Sequence, residues 1–247
     1  MFNYLLGEIY RMLRKKSMYI YFGCFAAGYA LLAFIRSPDA NGGSILSDAE
    51  NLFMLLTTIV GGYLFAALYT DDLSSRNLSS LIGFGMSKTK IVLSKLILAA
   101  LFGGAIFGLI PLYMSGVYVL LGHPPTAAIL GSVYVYALYT FMIAFACAAV
   151  SAIVVYGLQR TTLGIVAYLL LSLGVVNQLI SLFLSWDVVH NLLPGLGSHL
   201  MFAISGRVMT GIMSGEGVWT PSAEYVIYVT VASILAALAF RKKELEF

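Results

Sequence analysis

Charge is scarce along this 247-residue chain, and six long stretches hold none at all. Asp, Glu, Lys and Arg make up 10% of residues, against about 25% in soluble domains. Residues 23–35, 52–69, 96–121, 131–156, 163–184 and 225–240 contain none of the four. Hydrophobic residues reach 60%, where soluble domains hold about 45–50%. No soluble core disposes of that much apolar surface. A span needs about 20 apolar residues to cross about 30 Å of hydrocarbon. The stretches and their turns consume most of the chain, which leaves too little for a separate catalytic or nucleotide-binding domain.

Each further shortage removes a class of function. Without an acid in any of the six stretches, the paired carboxylates of an intramembrane aspartyl protease are missing. The ionisable residues that proton- and sodium-driven carriers keep at depth are missing too. The three histidines, His123, His190 and His199, lie outside the spans, so no cross-helix Ser–His pair forms. Asp187, His190 and His199 have ligand-like spacing, but in a long loop they serve more readily as caps or headgroup contacts than as a zinc site. The stretch Gly83-Phe84-Gly85-Met86-Ser87-Lys88-Thr89 lacks the Walker spacing because Ser87 precedes the lysine. With two cysteines, Cys24 and Cys147, both inside spans, free packing thiols are expected rather than a disulfide.

The positive charges that remain are one-sided. Of 14 Lys and Arg, 12 fall in segments that an even number of spans places together. They are Arg11, Arg14, Lys15, Lys16, Arg76, Lys88, Lys90, Lys95, Arg160, Arg241, Lys242 and Lys243, leaving only Arg36 and Arg207 opposite. By the positive-inside rule both termini are predicted to be cytoplasmic. A seventh span through residues 188–204 would carry the closing Arg-Lys-Lys outside, so residues 185–222 read as an external loop. Its leucines are too apolar for solvent, and short re-entrant helices fit them better.

The fold expected is an all-α membrane protein, a single transmembrane domain over residues 1–247. Residues 1–16 form an amphipathic interfacial helix, with Phe2, Leu5, Leu6, Ile9 and Leu13 on one face and Glu8, Arg11 and Lys15 on another. Six transmembrane helices occupy 17–35, 52–70, 95–121, 131–156, 163–184 and 223–240. Residues 37–51 read as a polar external loop, and 71–94 as the long cytoplasmic connection. In that connection a short helix covers about 73–82, a Gly83/Gly85 break follows, and a second helix starts near Ser87. Gly104 and Gly108 stand in a G-x-x-x-G spacing, and Pro111 should bend the third span. Thr57, Thr58, Asn177, Gln178 and Ser181 offer uncharged polarity within spans 2 and 5. They suit either interhelical hydrogen bonds or a substrate pathway, alongside adaptable Met and Tyr surface.

The segment from Tyr69 to Ile97 resembles the cytoplasmic signature of bacterial ABC type 2 transporter permeases. Asp71 or Asp72 matches the acid leaving span 2, and Met86-Ser87-Lys88 with Ser94-Lys95 matches the entry to span 3. The amphipathic start, six spans, apolar loop between spans 5 and 6 and closing Arg-Lys-Lys are similar as well. The absence of a large external domain resembles the compact branch that exports antibiotics, lantibiotics or other amphipathic peptides. The resemblance implies a half-permease in the bacterial cytoplasmic membrane, without enzymatic activity, paired with a second copy or paralogue. It implies a separate cytoplasmic ABC ATPase that holds the ATP and magnesium, with no cofactor in this chain and no nucleic-acid partner. It also assigns ATPase coupling to Asp71, Asp72, Leu73, Arg76, Leu78, Leu81, Ile82 and Lys88. The alternative is a non-transporting membrane immunity or assembly protein that binds a partner or lipid.

Overall fold

The computed structural model describes residues 2–36, 42–74, 82–83, 85–186 and 195–242. Among them all regular structure is helical. The helices are α1 (Phe2–Leu13), α2 (Lys16–Arg36), α3 (Gly42–Ser74), α4 (Lys88–Leu120), α5 (Ala127–Leu158), α6 (Thr161–Ser172), α7 (Val175–Leu184), α8 (Met201–Ser214) and α9 (Trp219–Lys242). A short 3-10 turn, Leu196–His199, precedes α8. Helices α2, α4, α5 and α9 are each long and apolar enough to cross a membrane. The number rises to as many as six if the bent α3 and the α6–α7 pair each count as one span. The chain is a membrane-embedded helical protein.

Helix α5 is the centre of the bundle and packs against α3, α4, α6, α8 and α9. Its buried face is built from small residues, including Ala144, Cys147, Ala148, Ser151 and Ala152. Lipid tails are as apolar as leucine, so helices in a bilayer gain by close approach and interhelical hydrogen bonds. Small side chains permit the approach. Tyrosines supply the hydrogen bonds, each giving its lone proton to a backbone carbonyl of another helix. Tyr168 donates to Thr57 O at 2.9 Å, Tyr225 to Met142 O at 2.8 Å, Tyr113 to Ala26 O at 2.6 Å and Tyr21 to Ile59 O at 2.8 Å. Cys24 is exposed and Cys147 buried, and both are free thiols.

Several boundaries differ from the sequence reading. Helix α3 begins at Gly42, so Asp48 and Glu50 stand on a helix where a loop was expected. It bends by 44° between Ser44–Phe53 and Leu55–Thr70. The fifth apolar stretch is not one rod: α6 and α7 meet at 59°. Gly174, at φ 74°, takes the left-handed conformation that ends α6 and caps α7. Helix α4 runs unbroken through Pro111, with Ser115 Oγ donating to Pro111 O at 2.8 Å. The G-x-x-x-G pair is not a close-packing seam within this chain. A Cβ at Gly108 would meet nothing within 4 Å, whereas one at Gly103 would lie 2.9 Å from Phe141.

Candidate functional site

At the end of the bundle next to residues 75–87, charge is buried. Lys95 lies two turns inside α4 and is 0% exposed. Its ammonium donates to Glu8 Oε2 at 2.8 Å and to Leu68 O at 3.0 Å, and sits 5.7 Å from the Tyr4 ring centroid. Arg11 donates to the same Glu8 oxygen at 2.7 Å. A buried ammonium is tolerable only when paired and hydrogen-bonded. Here one cation joins α1, α3 and α4. The expectation of a wholly uncharged interior is thereby corrected. Counting Lys95, the first residue of the third span, with the cytoplasmic charges hid its burial, and helical periodicity alone put Glu8 on a wet face of α1.

Close beside this cluster runs a chain of rings. Tyr168, Phe65, Tyr69, Tyr156 and Phe240 follow one another at centroid separations of 5.2, 4.6, 5.8 and 4.7 Å. They link α6, α3, α5 and α9. Lys88, predicted for ATPase coupling, ends the chain with its ammonium 5.4 Å from the Phe240 centroid. Ile82 is half-buried against the helical core instead of lying free. Asp71, Asp72 and Leu73 fall in the last turn of α3. Arg76, Leu78 and Leu81, with most of the helix expected over 73–82, lie outside the described residues, as do Asp187 and His190. At Gly85, φ 84° and a bond from its N–H to Ile82 O make the expected break before α4.

At the opposite end the acids are held by phenols and guanidinium groups. Asp48 accepts from Tyr118 at 2.7 Å and from Arg36. Glu50 accepts from Tyr136 at 2.5 Å. Glu224 on α9 pairs with Arg207 on α8, and His199 lies 3.3 Å from the same carboxylate. No group of three or more metal-ligating side chains occurs among the described residues.

Besides an open groove of about 520 Å³ along α5, α8 and α9, two sizeable cavities open between the helices. One, of about 420 Å³, lies among α2, α3 and α4 and is lined almost wholly by apolar groups such as Phe22, Tyr29, Leu52, Ile106 and Met114. The other, of about 440 Å³, lies among α3, α5, α6 and α8. Thr57 lines it; Thr58 is half-buried and is not part of its wall. Asn177, Gln178 and Ser181 do not join Thr57. The turn at Gly174 carries them onto α7, where Asn177 is half-buried and the other two are exposed. Sequence reasoning missed Glu50, Tyr136, Thr140 and Ser172 in this wall. The signal was present in the Thr and Ser residues standing mid-span on α5 and α6. Compared with known proteins, the chain matches no family model, no curated protein and no solved structure.

Proposed function

We propose that this chain is the transmembrane half of an ATP-driven ABC exporter that moves hydrophobic or amphipathic cargo outward. In this reading the bent α3 and the broken α6–α7 pair each count as one span, giving six, and α8 with its preceding turn is a re-entrant element. Both termini and residues 75–87 face the cytoplasm, a placement that the distribution of Lys and Arg supports. A separate ATPase docks on the segment around Asp71, Asp72, Arg76, Leu78 and Leu81, and a second permease copy or paralogue completes the pathway.

The observation that carries the reading is the Glu8–Lys95–Leu68 junction. It fastens α1, α3 and α4 together just where the proposed docking segment leaves and re-enters the bundle. Force applied at that segment then moves three helices as one body rather than bending a loose loop. The second reading, a membrane protein that binds lipid or a partner without transport, draws on the apolar cavity among α2, α3 and α4, which has room for an acyl chain.

Co-purification with the candidate ATPase, followed by cargo-stimulated hydrolysis in proteoliposomes, separates the two. Substituting Asp71→Asn, Asp72→Asn and Arg76→Ala together should abolish stimulation while leaving the chain folded. Export and stimulated hydrolysis that survive the triple substitution would refute the exporter reading.

A further inference from the structure

We infer that the cavity among α3, α5, α6 and α8 is a binding site for lipophilic monocations, an ammonium or similar cation carrying an aromatic or aliphatic body, with Glu50 as its counter-charge. The argument begins with its hydroxyls. Thr57, Thr140, Ser172 and Thr210 all line the space, and each has already given its proton to a carbonyl of its own helix. The acceptors are Phe53 O at 3.2 Å, Tyr136 O at 2.8 Å, Leu169 O at 3.2 Å and Gly206 O at 2.9 Å. A hydroxyl has one proton and two lone pairs, so these four groups offer lone pairs only. Tyr136 likewise has its proton committed to Glu50. Tyr139 apart, every hydroxyl among the described lining residues has its proton committed and offers lone pairs.

Charge points the same way. Among the described residues lining the space Glu50 alone is charged, with no Lys, Arg or His beside it. An anion would meet a carboxylate and a ring of lone pairs. A neutral acceptor would find a single hydroxyl to receive from. A cation meets a carboxylate at the mouth, lone pairs within, and three aromatic residues in the wall, Phe53, Tyr139 and Phe202, a ring type that attracts positive charge. The volume of about 440 Å³ falls in the drug-sized range of about 300–1,000 Å³. Thr57, Thr140 and Ser172 are buried while Glu50 is exposed, so the wall grades from a dry interior to a charged rim. The ligand's charge would sit at that rim and its apolar body inside.

The site goes beyond the exporter reading and stands without it, so the assay contains no ATPase. The probe is radiolabelled 4-phenylbutylammonium, measured against the purified chain in lipid nanodiscs with empty nanodiscs as blank. Its anionic counterpart on the same body, 4-phenylbutanesulfonate, serves as competitor. Saturable binding is expected, with weak or no competition by the sulfonate. Glu50→Gln should weaken binding about tenfold or more, as loss of a charged partner does. Glu216→Gln, which removes an exposed carboxylate outside the cavity, should leave binding unchanged. A second variant tests the space without touching charge. A Cβ at Gly206 meets nothing within 4 Å, so Gly206→Phe has room to fill the cavity from α8 and should abolish binding. Binding no greater than in empty nanodiscs overturns the site. So does equal competition by the sulfonate, or unchanged affinity in folded Glu50→Gln or Gly206→Phe protein.

Discussion

Replacing Gly61 with alanine tests the packing of α3 on α6 most directly. A Cβ at Gly61 would lie 2.0 Å from Tyr168 Oη and 3.2 Å from Ala144 Cβ, where ordinary contact begins at 3.4 Å. Tyr168 is 0% exposed and its hydroxyl is tied to Thr57 O, so the ring has nowhere to retreat. Overpacking of this kind costs about 1–3 kcal/mol. A 2.0 Å approach puts the cost at the upper end of that range, so after the alanine returns up to about 1 kcal/mol of helix propensity the net loss is about 2 kcal/mol. At about 2–4 °C per kcal/mol for a chain of this size, the melting temperature should fall by several degrees. Tyr168→Phe alone forfeits one hydrogen bond, about 0.5–1.5 kcal/mol, and strands no donor. The double variant removes the clashing oxygen, so it should be no less stable than Tyr168→Phe. Thermal unfolding of the detergent-solubilised protein, scored as a double-mutant cycle, gives the answer. Simple addition of the two single effects, or a fully stable Gly61→Ala, would refute this packing.

Two further outcomes follow from the fold. Gly174→Ala should destabilise by about 1 kcal/mol, because the left-handed conformation penalises a Cβ. Were α6 and α7 one straight helix, the same change would stabilise by about as much, so the sign of the melting shift decides. Glu8→Gln should cost about 2 kcal/mol. That lies below the roughly 3–5 kcal/mol for breaking a buried pair, since Lys95 keeps Leu68 O and other contacts. Adding Lys95→Met should recover most of the loss, and a melting cycle without such recovery would deny the pair its role.

The helical class was legible because hydropathy is a local property: an apolar run declares itself without reference to a partner. Ser87 ahead of Lys88 and Gly85 in its turn were readable for the same reason. What escaped depends on meetings between distant residues. Glu8 and Lys95 each look like surface charges until they are placed 2.8 Å apart. Tyr168 and Tyr225 fit the description of interfacial anchors, yet they donate across the bundle to backbone carbonyls. Thr57 was singled out from its position in span 2 and does line a cavity. Asn177, Gln178 and Ser181 were grouped with it on the assumption of a straight fifth span, and one left-handed glycine at 174 separates them. Glu50 was lost to a presumed loop because α3 starts earlier than the hydropathy does.

The bond between Glu8 and Lys95 closes over 87 positions of chain, which gives the molecule a schedule as well as a shape. During synthesis α1 is complete long before α4 emerges, and its acid waits for its cation. Only when α4 begins to enter the bilayer does the lysine arrive, and docking α1 beneath it then makes burial of that charge tolerable. Whatever restrains α1 early would therefore delay the dry seating of α4.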